Sequence, residues 1–547
     1  MDIVSETEEP DSTSVLVIGG SLVGLSAAMF LGQYGVRTVL LEAHLGSHRH
    51  PRAIGYTPRT MELFRSAGIA AQIPEAPRGF RLRRCKVESL AGKWFEATDW
   101  TPKKPDAPET EGTKQRTDDK GEKEFSPHTG AAIAQDRLEP LLRDRATALG
   151  AELRLGTELL RFEQDQTGVT AWVREKASGR EYTIRAAYMI AADGSRSEVR
   201  KALGITRTGP GHLQTMRSVL FRAPLEQYLD KGISQFEIEQ PDLKAFLTTY
   251  GDGRWVLMFM DDLERDEPTL LSAIEQAIGR SDLAIEILTT GRWELSALIT
   301  DQFAAGRVFL AGDAAHTLPP TRGGFGANTG IHDAHNLAWK LAAVLSGAST
   351  PALLDSYHAE RHPVAWGRLE QTFARPDYAA HGPELAKGVA ILDDSALEFG
   401  QLYRSSAVLG AGSELPSAAR PDEWAGQPGT RAPHLWVARN GQRLSTLDMF
   451  GRGWVLITVD QRWADAAAQT ALELGLDLTS PRFTEPADRQ AVCAAFGIGA
   501  SGASLIRPDG VVAWRSAELP ENAAEALLEA WLTVSSSNAR EAQQSRR

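Results

Sequence analysis

Cysteine is nearly absent. Cys85 and Cys493 are the only two in 547 residues, and they lie far apart. That count excludes a disulfide scaffold and suits a reducing, cytoplasmic setting. No Cys-x-x-Cys occurs, which excludes dithiol redox work, and no Cys/His cluster has zinc spacing, so no metal is expected. Long hydrophobic runs are missing too. The most apolar window, Val15–Leu41, is broken by glycines and by Arg37, so no membrane span is expected. The opening stretch MDIVSETEEPDSTS is acidic and polar, unlike a signal peptide. Basic charge is in deficit: the net charge of −12 argues against a nucleic-acid or anionic-membrane partner. A hydrophobic content of 42% with 24% charged residues is ordinary for a soluble globular chain, and the length suggests two or three domains.

What is present is concentrated in Val15–Glu42, VLVIGGSLVGLSAAMFLGQYGVRTVLLE. Val15–Ile18 reads as a buried parallel strand, Leu22–Tyr34 as a helix stopped by Gly35, and Val36–Leu41 as a second buried strand ending at Glu42. This is a βαβ unit with a glycine turn and an acidic tip. Such a turn lets backbone N–H groups and a helix N-terminus face a pyrophosphate, while the carboxylate accepts hydrogen bonds from a ribose. Gly19, Ser21, Leu22, Val23, Gly24 and Glu42 are therefore candidate dinucleotide contacts. Ser21 occupies the second glycine of G-x-G-x-x-G, at an expected steric cost. The literal match to that pattern, Gly497–Gly502 (GIGASG), follows a helical run and precedes a strand, which is the wrong context.

Beyond Glu42 lies a loop with His44, His48, Arg49 and His50, then Pro51-Arg52-Ala53. It reads as a solvated loop, or as one from which Arg52 reaches back to a cofactor. Thr60–Ser66 is a short helix. Trp100–Phe125 is charged, rich in proline and glycine, and reads as a mobile insertion loop. Gln135–Leu149 is a helix, followed by short strands near Leu153, Leu159–Phe162, Val169–Val173 and Tyr182–Ile184. Tyr188–Ala192 is a buried strand ending in Asp193-Gly194, with a helix opening at Val199; a carboxylate there stands where α/β sheets place ligands. Arg217–Arg222, Ser234–Glu239, Lys244–Tyr250 and Trp255–Met260 alternate like antiparallel strands with one exposed face, a second domain covering a pocket.

Gly306–Leu341 is the second informative stretch. A strand, Val308–Ala311, ends in Gly312-Asp313. After a Pro/Gly-rich loop comes a helix from Asn328 to Leu341 and beyond, with Ile331, Ala334, Ala338 and Leu341 inward. Its N-terminus, preceded by Gly323–Gly326, suits a cofactor that gains negative charge. His316 reads as structural. From about Pro421 the pattern resets: strands at Trp454–Val459, Ala503–Ile506 and Val511–Trp514 and a helix at Leu519–Leu532 suggest a small α/β domain of thioredoxin type. Ser535–Arg547 is a polar tail.

Val15–Glu42, Asp193–Arg200 (DGSRSEVR) and Gly312–Leu341 together resemble the FAD-dependent aromatic hydroxylases, the single-component flavoprotein monooxygenases with the p-hydroxybenzoate hydroxylase fold. The similarity runs over about Ser14–Leu532. Gln401–Leu409 (QLYRSSAVL), Gly441–Trp454 and Phe496–Arg515 resemble the subgroup that hydroxylates aromatic polyketides in antibiotic biosynthesis and carries a C-terminal thioredoxin-like domain.

The resemblance implies an α/β protein: a Rossmann-like FAD-binding domain (13–75, 130–205 and 300–400), an inserted, mostly antiparallel-sheet substrate domain (76–129 and 206–299), a thioredoxin-like domain (421–534) and a disordered tail (535–547). It places Gly19, Ser21 and Gly24 at the FAD pyrophosphate, Glu42 at the adenosine ribose, and Arg52 and Gln135 at the phosphate and ribityl region. Asp193 would serve FAD and NAD(P)H, and Asp313 the ribityl or phosphate portion. Pro320 lies in the flavin loop, with Gly326, Ala327 and Asn328 at the flavin pyrimidine edge. That loop carries one residue more than the subgroup's pattern, with Arg322 in it.

The implied reaction reduces FAD with NADPH or NADH, forms a flavin hydroperoxide from O2 and hydroxylates a phenolic polycyclic substrate, with Arg404 as the cation that favours phenolate. Baeyer–Villiger insertion on the same scaffold, or aromatic binding without turnover, are the alternatives. A flavin halogenase is disfavoured because no Trp-x-Trp-x-Ile-Pro run occurs. A homodimer through the C-terminal domain is an analogy.

Overall fold

A computed structural model describes residues 11–47, 50–78, 83–99, 123–320, 325–379, 381–439 and 441–537. Most of the expected insertion loop, residues 100–122, lies outside these, as do residues 321–324 with Arg322, and the tail from residue 538.

The first sheet begins with the expected βαβ unit: strand Asp11–Ile18, helix Leu22–Gln33 and strand Thr38–Glu42. The strands pair in parallel, Val15 opposite Thr38 and Ile18 opposite Leu41. Around this pair the order is Ala304–Ala305, Val308–Leu310, Glu181–Ala191, Asp11–Ile18, Thr38–Glu42 and Glu152–Leu155. One expectation is corrected here. Tyr182–Ile184 and Tyr188–Ala192 are not separate strands but parts of one, Glu181–Ala191. Its first half pairs antiparallel with Val169–Glu175 and its second half parallel with the first strand and Val308–Leu310. The change of partner explains the change of pattern, since the first half has one covered face and the second has two.

The second sheet is antiparallel except where Gln235–Glu239 runs parallel to Arg83–Val87. Its centre is Arg207–Arg222, paired with Arg254–Phe259 on one side and with Glu286–Thr300 on the other. The 15-residue strand Glu286–Thr300 and helix Glu267–Ile278 escaped the sequence reading. The helix buries Leu270, Ile274 and Ile278 against Val219, Phe221, Trp255 and Leu257. Alternation then leaves Ser218, Leu220, Val256 and Met258 on the opposite face.

The long helix runs Phe325–Leu345, starting three residues before the expected Asn328, and it is buried on nearly every side. Ile331, Ala334, Ala338 and Leu341 are inward, as expected. Asp333, His335, Asn336 and Lys340 are covered too, because their polar groups find partners among neighbouring elements. The C-terminal part holds a four-stranded sheet, Leu478–Thr479, Trp454–Thr458, Ala503–Ile506 and Val512–Ser516, in that order. Its last helix is Ala523–Val534 rather than Leu519–Leu532: Pro520 disfavours helix for the residue before it, and Asn522 caps the start by accepting from the Glu525 amide. Trp339 of the long helix meets Trp454 edge-on at 5.9 Å, so this part shares a core with the first. Gly497 and Gly502 lie between helix Pro486–Phe496 and strand Ala503–Ile506, as anticipated for a false match.

No helix among the described residues is long and apolar enough to cross a membrane.

Candidate active site

The turn after the first strand is set by sterics. Gly19 has φ +103°, and a Cβ there would lie 2.4 Å from the Ala192 carbonyl oxygen. A Cβ on Gly24 would lie 1.8 Å from the Gly19 oxygen. Ser21 is different: its φ of −95° is open to any residue, so the steric cost expected at this position does not arise in the backbone. Helix Leu22–Gln33 has no side-chain cap, which leaves its first-turn N–H groups for an anion. Val23 brings the Gly312–Leu341 stretch onto this turn. A Cβ added at Gly312 or Gly330 would lie 2.7 or 2.5 Å from its Cγ2.

Glu42 stands at the second strand's tip. Its Oε2 accepts from the Gly20 N–H at 2.7 Å, and its Oε1 accepts from the His44 N–H at 2.8 Å. Gln135, at the start of helix Gln135–Ala148, joins two of the other expected residues, Arg52 and Ser21. Its Oε1 accepts from the Arg52 and Ala53 N–H groups, and its Nε2 donates to Ser21 Oγ. The Arg52 guanidinium lies 5.8 Å from the centre of the Trp293 ring on the second sheet. That sheet is tied to the same loop where His50 Nε2 lies 2.9 Å from Ser218 Oγ, which also accepts from Trp293 Nε1. Arg254 Nη1 donates to Asp136 at 2.7 Å, a second tie between the sheet and this helix.

Asp193 Oδ2 accepts from the Val199 N–H, while its Oδ1 is buried without a partner. Arg200 spans from this segment to the next, donating to the carbonyls of Ser195 and Ala314. Asp313 is exposed by surface area, yet its surroundings raise its pKa by desolvation, against the pull of His316 and Arg52. A carboxyl that is ringed by protein and still open lines a cleft.

Asn328 is committed elsewhere: its Oδ1 accepts from the Thr57 N–H and Thr60 Oγ, and its Nδ2 donates to the Gly55 carbonyl. Its side chain thus holds the segment Gly55–Thr60. The backbone of Gly326 and Ala327 remains in the part-exposed first turn. The Pro320 carbonyl accepts from Tyr378.

Arg404 donates to the carbonyls of Gly412 and Leu415. Its neighbours point the other way in this extended stretch. Tyr403 accepts from Arg361 Nη1 at 2.7 Å, and Ser405 donates to Glu360 Oε1 at 2.7 Å. They reach two buried charge clusters that sequence reasoning missed. In one, Asp333 joins His316 Nε2 at 2.6 Å and Arg361 Nε at 2.8 Å. In the other, Glu360 meets Lys340 at 2.9 Å and Arg507 at 2.6 Å, and Arg507 also holds Asp509. Burial opposes the Glu360 charge, but Arg507 and Lys340 keep its pKa well below the usual range. Burial pushes Lys340 down to about 8. The fall of Glu360 governs this pair, since two cations flank it while Lys340 also faces Arg507. The available signal was Asp333, Asn336 and Lys340, three and four residues apart on one helix.

Residues 12–372 match the model of an FAD binding domain, and residues 425–534 that of the C-terminal domain of aromatic-ring hydroxylases. The chain belongs to the FAD-dependent aromatic-ring hydroxylases. The hydroxylase is 40% identical over 519 residues to tetracenomycin B2 monooxygenase-dioxygenase of Streptomyces olivaceus, covering 92% of this chain and 95% of that one. It is 38% identical over 566 residues to 4-methyl-5-nitrocatechol 5-monooxygenase of Burkholderia sp, covering 97% and 98%. The crystal structure of aklavinone-11 hydroxylase with FAD and aklavinone superposes with a TM-score of 0.83 at 34% identity, over 96% of this chain and 100% of that one.

The residues present fit FAD. The turn at Gly19–Gly24 admits no added bulk at its glycines, the buried Asp193 Oδ1 lacks a partner, and Asp313 opens into the cleft.

Proposed function

We propose that this hydroxylase consumes NAD(P)H and O2 to place one oxygen atom on a phenolic, polycyclic substrate of polyketide type. The observation that carries the reading is the meeting of the three sequence motifs at the first turn, Asp193 against Gly19 and Gly312 and Gly330 against Val23, beneath a sheet that turns a broad face toward the Arg52 loop. On that face Gly291, Ser218, Met258 and Phe246 form one row, and Thr289, Leu220, Val256 and Thr248 the next. A flat surface of this kind suits fused rings, and relatives named for tetracenomycin and aklavinone chemistry support it. Bound FAD, reduced by the nicotinamide, supplies the activated oxygen. The chain's own part is to hold FAD through the turn and Glu42, to cover the substrate with the sheet, and to favour phenolate. The scarcity of cysteine, two in 547 residues, supports a cytoplasmic setting.

The nitrocatechol relative, of similar identity, supports a second reading with a single-ring phenol. NADPH oxidation should be measured with tetracyclic polyphenols and with simple catechols. Stimulation by the tetracycles with one oxygen gained supports the first reading, stimulation by catechols alone the second, and none by either class removes both. The position of the oxygen distinguishes ring hydroxylation from Baeyer–Villiger insertion.

Arg404 serves this reaction, on our reading, by exchanging the Gly412 and Leu415 carbonyls for the phenolate. Arg404→Met then shifts the pH profile of turnover upward, because the phenol loses the cation that lowers its pKa. An unchanged profile removes Arg404 from the chemistry and leaves it as the anchor of its loop.

A further inference from the structure

Ser21 replaces a glycine of the dinucleotide pattern, and its backbone does not explain why. The side chain does. Ser21 Oγ donates to Glu139 Oε1 at 2.7 Å. Glu139 is only 2% exposed, and Gln135 Nε2 donates both to the same carboxylate oxygen, at 2.7 Å, and to Ser21 Oγ, at 2.9 Å. The other end of Gln135 accepts from the Arg52 and Ala53 N–H groups. A covered carboxylate therefore stands directly behind the turn that faces the FAD pyrophosphate, with Ser21 interposed between them.

We infer that Ser21 and Glu139 act as a positioning pair for FAD: Ser21 shields the Glu139 carboxylate from the pyrophosphate, and Glu139 holds Ser21 and Gln135, and through Gln135 the Arg52 loop, in place. Glycine at position 21 would leave the carboxylate with Gln135 as its one remaining donor and set a poorly satisfied negative charge beside an anion. Losing one partner of a charged, buried acceptor is costly, whereas removing both partners is nearly neutral. The pattern's own glycine is thus the wrong residue for this chain as long as Glu139 is present.

The inference rests on FAD occupying this turn. The test is the FAD dissociation constant of deflavinated protein, with apoprotein melting measured beside it. Ser21→Gly should bind FAD about 10-fold more weakly. Glu139→Gln, whose amide oxygen still accepts from both donors, should stay within about 3-fold of wild type. Ser21→Gly/Glu139→Gln, which removes the charge yet keeps an acceptor for Gln135 Nε2, should recover most of the loss. Ser21→Gly binding FAD as tightly as wild type overturns the pair, and so does a double variant no better than the single. An apoprotein that melts lower with unchanged FAD affinity makes the contact a matter of packing alone and likewise overturns it. If wild type itself takes up no FAD, the functional reading falls first; if wild type binds and the variants do not differ, only the pair falls.

Discussion

Two regions of this hydroxylase hold their geometry by opposite means. The turn at Gly19–Gly24 is open and is shaped by what cannot fit, since added atoms would strike the backbone at Ala192 and Gly19. The junction of the long helix, helix Asp355–Phe373 and the turn at Arg507–Gly510 is sealed and is shaped by what must be paired, with Lys340, Glu360, Asp333, Arg361 and Arg507 all wholly buried. Exclusion acts between residues close in sequence or on adjoining strands. Pairing here joins residues more than a hundred positions apart, such as Glu360 and Arg507. The C-terminal domain is therefore wired into the helix whose first turn lies at the cofactor cleft, through Arg507 and Asp509.

Breaking the sealed region should have the largest effect. Arg507→Ala leaves Lys340 as the one cation paired with Glu360 among the described residues and takes from Asp509 its salt-bridge partner, and removing one partner of a buried pair costs about 3–5 kcal/mol. Chemical denaturation should show that loss. A loss below about 1 kcal/mol would mean that water or rearranged neighbours satisfy the two carboxylates, and the contrast with the turn would weaken.

Breaking the open region should cost function more than fold. Gly24→Ala forces a displacement in the turn, and overpacking of this kind costs about 1–3 kcal/mol. If that falls on the bound state, FAD affinity drops about 5–150-fold, read by flavin titration, with far-ultraviolet circular dichroism unchanged. Unfolding of the apoprotein instead would place this turn on the same footing as the junction.

A pH titration of stability sharpens the comparison further. A polar cavity of about 30 Å3, enough for a single water, adjoins the junction and is lined by Glu398, His335, Tyr403, Arg431 and Asp509, among others. Burial pushes the Glu398 carboxyl up to about 8 from its ordinary 4.5. Burial also pushes His335 down to about 3 from 6.5. Between about pH 4.5 and 8 the folded chain keeps the Glu398 proton that the unfolded chain has released, so this group makes stability fall as pH rises through that window. Between about pH 6.5 and 3 the unfolded chain gains a His335 proton that the folded chain refuses, so stability also falls on the acid side. Glu398→Gln should flatten the alkaline fall and leave the acid one. Identical stability–pH curves for variant and wild type would show that Glu398 ionises freely in the folded state.

Much of the geometry of the proposed cofactor site was legible along the chain. Gly19, Gly24 and Glu42 declare themselves because a tight turn, a helix packed on a strand and an acidic strand tip are local requirements. Asp193 and Asp313 follow from ending buried strands. Other features were not legible for identifiable reasons. Helix Glu267–Ile278 and strand Glu286–Thr300 went unread, and the strand is buried unevenly along its length, which blurs alternation. The covered polar residues of the long helix, Asp333, Asn336 and Lys340, went unread because they face partners instead of water. In Tyr403-Arg404-Ser405, sequence reasoning chose the middle residue as the functional cation, while the buried hydrogen bonds belong to its neighbours.

The sequence by itself determined the βαβ unit, its dinucleotide chemistry and the family, because backbone sterics and strand-tip carboxylates act over a few residues and leave a fixed spacing. Only the tertiary structure decided that Ser21 answers to Glu139, that Val23 gathers Gly312 and Gly330, and that the turn at Arg507–Gly510 anchors the long helix. Each of those depends on which surfaces meet once the apolar cores have closed, and buried charges and close approaches are set by that meeting.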